Sequence, residues 1–186
     1  MATTTEDILQ ILREIAETQR ENTRKFLETD RKFQETDRRL REVTANIGKL
    51  GNRLGDFIED AVRPAAVRLF RERGIDVHEV HQNVGAQRDG EGLELDLLVV
   101  NDTDLIGVEC KSLLSVDDVN EHLQRLAKLK RLLPSYADKR VFGALAAMVI
   151  PDNVAQYAYR KGLYVIGQSG GHLAIRNAAD FVASAW

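Results

Sequence analysis

The chain has 186 residues, of which 44% are hydrophobic and 30% charged, with a net charge of −3. That length supports one good hydrophobic core and hardly two, and no apolar run approaches the ~20 residues a transmembrane helix needs. The only cysteine, Cys110, excludes an internal disulfide and a cysteine-rich zinc site. Residues 1–7 lack the basic and apolar regions of a secretory signal, so a soluble, cytoplasmic protein is expected.

Charge is unevenly placed. Residues 1–52 carry ten basic and ten acidic side chains, and the remainder sixteen basic against nineteen acidic. This is not the basic footprint of a protein resident on nucleic acid. It tells against tight, sequence-blind binding at physiological salt, but it leaves room for a nuclease, whose metal-binding carboxylates weight the balance toward acid.

The N-terminal segment is a heptad repeat. Ile8, Ile15, Asn22, Thr29, Thr36, Val43 and Leu50 lie seven apart; Leu12, Gln19, Phe26, Phe33, Leu40, Ile47 and Leu54 keep the same period, offset by four. The second set takes the a positions and the first the d positions of one unbroken register. Inside it, Lys25-Phe26-Leu27-Glu28-Thr29-Asp30-Arg31 is followed by Lys32-Phe33-Gln34-Glu35-Thr36-Asp37-Arg38. With no proline or glycine before Gly48, a helix roughly 70 Å long is predicted. Its seam is apolar at both ends and mixed in the middle, where polar groups cost stability but pin register and oligomer state. So regular a seam supercoils, and a self-associating coiled coil is the expectation. The competing arrangement is a single amphipathic helix lying on the globular part.

Gly48, Gly51 and Gly55 mark a joint, which assigns residues 1–51 to the coiled-coil helix and 52–186 to a globular domain. Residues 52–73 read as a helix with a core face of Ile58, Ala61, Val62, Ala65 and Leu69, ended by Gly74, with Pro64 inside it as a kink point. Residues 75–84 read as a strand and 85–92 as a flexible, glycine-rich hairpin loop. Residues 93–100 and 105–111 read as strands joined by a turn at 101–104. An amphipathic helix over 116–133 ends before Pro134, and 140–150 is a long apolar strand. Residues 151–161 form a helix with proline at its first position and Gly162 after its end. Short strands at 163–166 and 172–175 and a last short helix at 178–186 complete the chain. The order α-β-β-β-α-β-α-β predicts an α/β fold, a mixed sheet with helices on both faces.

Two of these strands carry charge where a core strand should not. Glu94 and Asp96 interrupt the first, Glu109 and Lys111 the second, and burying a charge without a partner is expensive. Side chains alternate along a strand, so Glu109 and Lys111 share a face while Val108 and Cys110 point the other way. Paired as a hairpin, the two strands bring Asp96, Glu109 and Lys111 together near the end of the sheet. Phosphodiester hydrolysis asks for such a set. Mg²⁺ takes one or two carboxylates with water or substrate oxygens completing its shell, and a lysine beside it orients water or offsets developing charge. The acid-x-Lys tripeptide alone is weak, since Asp30-Arg31-Lys32 is another instance. Position on a core strand is what distinguishes Glu109-Cys110-Lys111.

This combination resembles the PD-(D/E)XK nuclease superfamily, the restriction-endonuclease-like fold. The run Gly92-Leu93-Glu94-Leu95-Asp96-Leu97-Leu98 is similar to its second-strand motif, Gly107-Val108-Glu109-Cys110-Lys111 to its third-strand motif, and Gly55 with Glu59 to its first-helix motif. The segment from Tyr157 to Ile166 is similar to its late helix and strand. The likeness covers about residues 52–170, and the heptad extension points to a DUF3782-like group within the superfamily. No proline precedes Asp96, which removes one supporting mark.

The resemblance implies an α-β-β-β-α-β core behind a coiled-coil helix, with Asp96 and Glu109 as ligands of Mg²⁺ or Mn²⁺. It implies the Cys110 carbonyl as a third ligand, Lys111 as the group positioning the attacking water, and Glu59 as an additional metal or water ligand. Glu94 would serve in a salt bridge, and Gln124 stands where some members keep a polar site residue. Blander readings compete: Asp96 as a charge on an edge strand, Glu109 and Lys111 as a simple ion pair, Glu59 as an ordinary helix glutamate. His78, His81, His122 and His172 read as structural, and Cys110 as packed rather than nucleophilic. Arg125, Lys128, Lys130 and Arg131 read as a solvated helix face; Arg88, in the glycine-rich loop, is the better candidate for a substrate contact. The expected activity is metal-dependent cleavage of nucleic acid, DNA first, by a homo-oligomer with no membrane association. The alternative is a non-catalytic assembly module that keeps the fold.

Overall fold

A computed structural model of the protein describes residues 5–186, apart from the side chains of residues 48, 49 and 52. Helix α1 spans Thr5–Arg71. By internal contacts the chain divides into a unit that ends at Leu50 and one that runs Gly51–Trp186. Among the described residues no helix is long and apolar enough to cross a membrane.

In the first unit every described side chain is exposed, including Ile8, Leu12, Ile15, Phe26, Phe33, Leu40, Val43 and Ile47. The helix is laced by pairs four residues apart: Glu21–Lys25 and Glu28–Lys32 at 2.8 Å, Glu35–Arg39 and Asp37–Arg41 at 2.5 Å. Each such pair supports an isolated helix by only about 0.2–0.5 kcal/mol. Helix α1 passes through Gly48, Gly51 and Gly55 without interruption. Glycine inside a helix costs about 1 kcal/mol relative to alanine but removes no backbone hydrogen bond. Farther on, the helix is anchored by Ile58, Val62, Ala66, Leu69 and Phe70, all buried at helical spacing. Of the expected core face, Ala61 is exposed and Ala66 and Phe70 take its place.

The second unit is built on a sheet of six strands: β1 Glu79–Arg88, β2 Glu91–Val100, β3 Asp104–Leu113, β4 Arg140–Val149, β5 Tyr164–Ser169 and β6 His172–Ile175. Their spatial order is their sequence order. The β3–β4 and β4–β5 pairs are parallel and the other three antiparallel. The parallel pairs are crossed by α2, Val116–Leu132, and α3, Asp152–Arg160. Both crossovers step the same way along the sheet, and the right-handed rule then places both helices on one face. The buried residues agree. Val119, Leu126, Leu129, Val154 and Ala158 pack with Leu98, Val100, Leu105 and Leu145, whereas the α1 residues pack with Leu97, Val99, Ile106, Val108 and Cys110 on the other face. The core has the α-β-β-β-α-β order expected of a restriction-endonuclease-like chain.

Local chemistry sets the ends of the elements. Ser115 and Asp118 form a reciprocal capping box at the start of α2. Pro151 stands just before α3, at its N-cap, and Gly162 follows its end with φ +77°. Two expectations fail. The flexible loop over 85–92 is a two-residue turn, because Asp89 and Gly90 both adopt positive φ (52° and 81°), the geometry that closes a tight hairpin. The final helix at 178–186 is absent. That segment is irregular and tied down by Ser184 N–H donating to the Gly162 carbonyl (3.0 Å) and Trp186 N–H to the Val141 carbonyl (2.9 Å).

Gly143, in the middle of β4, lets α2 approach the sheet. A methyl group there would stand 2.3 Å from Leu126 Cδ1 and 2.5 Å from Leu163 Cδ2, both ends of fully enclosed side chains. Gly143→Ala is expected to cost about 1–3 kcal/mol, read as a lower midpoint in urea denaturation with an unchanged slope.

Candidate functional site

The ladder between β2 and β3 starts at Val100 opposite Leu105 and stops at Leu97 opposite Val108, although both strands continue. Past that point the strands part, and the Cys110 N–H has no ladder acceptor on β2. It donates instead to Asp96 Oδ2 at 2.6 Å. On the other side of β2 the register with β1 skips the pair Asn83–Asp96, and Asn83 adopts φ 50°. Here the strand exchanges faces: Leu93 and Leu95 pack on the α2 side, Leu97 and Val99 on the α1 side. Asp96 thus sits in an opening in the sheet, half-buried, rather than on an edge facing water.

Glu109 is buried, pointing away from the face on which Val108 and Cys110 pack. Its Oε1 lies 2.8 Å from Lys111 Nζ, and its Oε2 lies 2.5 Å from Arg125 Nη1, on α2. Both carboxylate oxygens are thus met by a cation. Burial pushes the Glu109 carboxyl up, but Lys111 and Arg125 together outweigh it and hold the group below its ordinary value. Asp96 goes the other way: burial and the Glu109 charge raise it more than the Cys110 N–H lowers it.

Glu59 reaches the same field from α1. Burial, and then the charges of Asp96, Asp56, Asp60 and Glu109, raise its carboxyl from 4.5 to about 7. Three acidic groups from three elements are therefore within electrostatic reach of one another, through the parting of β2 and β3. Cys110 packs on the α1 side, where burial and then Asp96 and Glu59 push its thiol up, which disfavours the thiolate a nucleophile needs. Its carbonyl lies on the same strand edge as its N–H, the edge that Asp96 occupies.

Among the described residues no three His, Cys, Asp or Glu side chains meet in a metal-ligating arrangement. The donor set nonetheless suits a hard divalent cation. It offers carboxylate oxygens and a backbone carbonyl on the same edge. A cation that keeps several waters asks for one or two carboxylates.

Arg125, expected on a solvated helix face, is instead half-buried and bound to Glu109. The signal was present: α2 buries Val119, His122, Leu126 and Leu129, and Arg125 follows His122 by three residues, on the border of that stripe. It also lines a cleft of about 620 Å³ with Gly85, Ala86, Gln87, Gly92, Leu93 and Glu94. Gln124 is exposed, as are Glu94 and Arg88, the last facing Asp89 at the hairpin turn (3.7 Å). His122 is fully enclosed and, by burial, lowered to about 4. It is neutral at pH 7, with Nε2 3.2 Å from the Gly107 carbonyl.

Residues 10–93 match the model of a family described as a protein of unknown function, DUF3782. The match ends three residues before Asp96. A search of curated proteins finds no match. Among solved structures, the chain is similar to a protein of unknown function, AF1548, at 18% identity and a TM-score of 0.40, covering 55% of this chain and 54% of that one. It is similar to a repair endonuclease from Pyrococcus abyssi at 16% identity and a TM-score of 0.43, covering 57% and 45%. It is also similar to the small subunit of the heterodimeric restriction endonuclease R.BspD6I at 13% identity and a TM-score of 0.33, covering 63% and 71%. The aligned part spans about half the length of the first two of these chains.

Because the Glu59 carboxyl is raised, its contribution to stability is full below 4.5 and is lost as pH rises through about 7. Glu59→Gln removes that loss. Its melting temperature should exceed that of the unsubstituted protein at pH 8 by more than at pH 4.5. An equal difference at both pH values would mean that Glu59 does not sit in the acidic field described.

Proposed function

We propose that the protein is a metal-dependent nuclease that hydrolyses phosphodiester bonds in DNA and self-associates through its N-terminal coiled coil. The observation that carries this reading is the opening in the sheet at Asp96. It brings Asp96, Glu109, Lys111 and Glu59 within electrostatic reach of one another and sets Arg125 between these groups and an open cleft.

Asp96 and Glu109 would hold Mg²⁺ or Mn²⁺, with the Cys110 carbonyl and Glu59 as further donors. Such an ion, when bound, neutralises charge on the scissile phosphate and makes water more acidic. Lys111 supplies an ammonium beside Glu109, which can orient water and offset charge developing on the phosphate. Arg125, at the border of the cleft, presents a planar donor fork suited to a neighbouring phosphate of the substrate. The repulsion that raises the Glu59 carboxyl is what a bound cation would relieve. Within α1, the exposed apolar a and d residues of the first unit support self-association, since apolar side chains recurring along one helix face call for cover.

A non-catalytic assembly module is the rival, favoured by one observation. Glu109 is already balanced by Lys111 and Arg125, so the site is electrostatically tolerable without a metal. Labelled single-stranded, double-stranded and branched DNAs, with RNA, separate the two when incubated in Mg²⁺ or Mn²⁺. Cleavage is expected, and Asp96→Asn, which keeps an acceptor for the Cys110 N–H, or Lys111→Ala should each reduce it by roughly a thousandfold with circular dichroism unchanged. Folded, self-associated protein that cuts nothing in the panel favours the module. Mg²⁺ or Mn²⁺ should also raise the melting temperature of the unsubstituted protein by mass action, and Asp96→Asn should abolish that rise.

A further inference from the structure

The N-terminal helix carries an orientation signal beyond its apolar seam. With Leu12, Phe26 and Phe33 at a and Ile15, Thr29 and Thr36 at d, the g positions hold Lys25, Lys32 and Arg39, and the e positions hold Asp30 and Asp37. In the middle of the seam basic residues thus stand on one flank and acidic residues on the other, while the g and e positions nearer its ends, such as Thr18, Asn46, Thr23 and Thr44, are uncharged. In a parallel coiled coil a g residue faces the e residue five places on in the second copy. Lys25 then meets Asp30, and Lys32 meets Asp37. In an antiparallel pair g faces g and e faces e, which sets lysine against lysine and aspartate against aspartate, the like-charge contact that suppresses wrong pairings.

We infer that the helix over residues 5–50 assembles with a second copy of itself as a parallel, in-register coiled coil, its orientation selected by this segregation of charge. The inference rests on the self-association proposed above. The apolar stripe is fully presented: Phe26 and Phe33 are 72% and 71% exposed. The polar seam residues are prepared for burial. The Thr29 and Thr36 hydroxyls donate to the Lys25 and Lys32 carbonyls of their own helix at 2.8 Å, so enclosing them strands no donor. The basic flank is held in place by Glu21, Glu28 and Glu35, each paired with the g residue four positions on. Asn22, at d, meets Asn22 of the second copy only in the parallel, in-register arrangement, the kind of buried contact that fixes register.

Disulfide trapping in the full chain tests this, with Ile8→Cys and Ile47→Cys made separately. The unsubstituted protein, whose Cys110 thiol is buried, is the control. A parallel, in-register assembly links each variant to itself, and a differently tagged mixture yields self-links alone. Links that form only between Ile8→Cys and Ile47→Cys chains overturn the orientation while leaving self-association intact. A monomer in sedimentation equilibrium overturns both. As a second arm, Asp30→Lys with Asp37→Lys should weaken self-association about tenfold or more, and adding Lys25→Asp with Lys32→Asp should restore it. No weakening in the first of these variants would also overturn the inference.

Discussion

The hydrogen bond from the Cys110 N–H to the Asp96 carboxylate, at 2.6 Å, is the contact on which the arrangement of the second unit turns. Two strands that part inside a protein leave backbone groups without partners, and buried groups of that kind are rarely tolerated. Asp96 supplies the missing acceptor from its side chain. The parting can then persist, and an opening between β2 and β3 connects the α1 face of the sheet with the α2 face. Without that substitution of side chain for backbone, the ladder would be expected to close. Glu59 and Glu109 would then lie on opposite sides of a continuous sheet.

The opening distributes charge in a particular way. Glu109 is flanked by two cations and held anionic, whereas Glu59 is flanked by other acids and pushed to about 7. Two carboxyls in one field are thus driven in opposite directions by their surroundings. The cations come from different elements, Lys111 from β3 itself and Arg125 from α2. Displacing α2 would therefore alter the charge balance of Glu109 without touching its own strand.

The strand alternation around Glu109-Cys110-Lys111, the two crossover helices and the helical spacing of the α1 anchors were legible in the sequence, because burial dictates period directly. What was not legible depended on partners distant in the chain. The two faces of β2 exchange at Asp96, and no alternation rule signals it, since the cause is the end of a ladder with β3. Arg125 looked like a solvent residue because its partner, Glu109, is sixteen residues away. The glycine-rich segment 85–92 is a turn at Asp89-Gly90 alone, because its other residues find ladder partners across the β1–β2 hairpin. The last segment carries helix-compatible residues, but its backbone is spoken for by Gly162 and Val141.

The sheet's spatial order repeats its order in the chain, β1 through β6, so no strand has to insert between two others already in place. The sheet can grow at one edge as the polypeptide is synthesised, each new strand docking beside the one before. Such growth keeps many contacts between segments near in sequence, which favours rapid folding. It has a vulnerable moment. Between the docking of β4 and the arrival of β5, the growing edge is an apolar strand of ten residues, Arg140–Val149, with no charge after its first position and a free row of backbone donors and acceptors. An interval spent in that state invites pairing with another nascent chain, and a translational pause after Val149 would lengthen it.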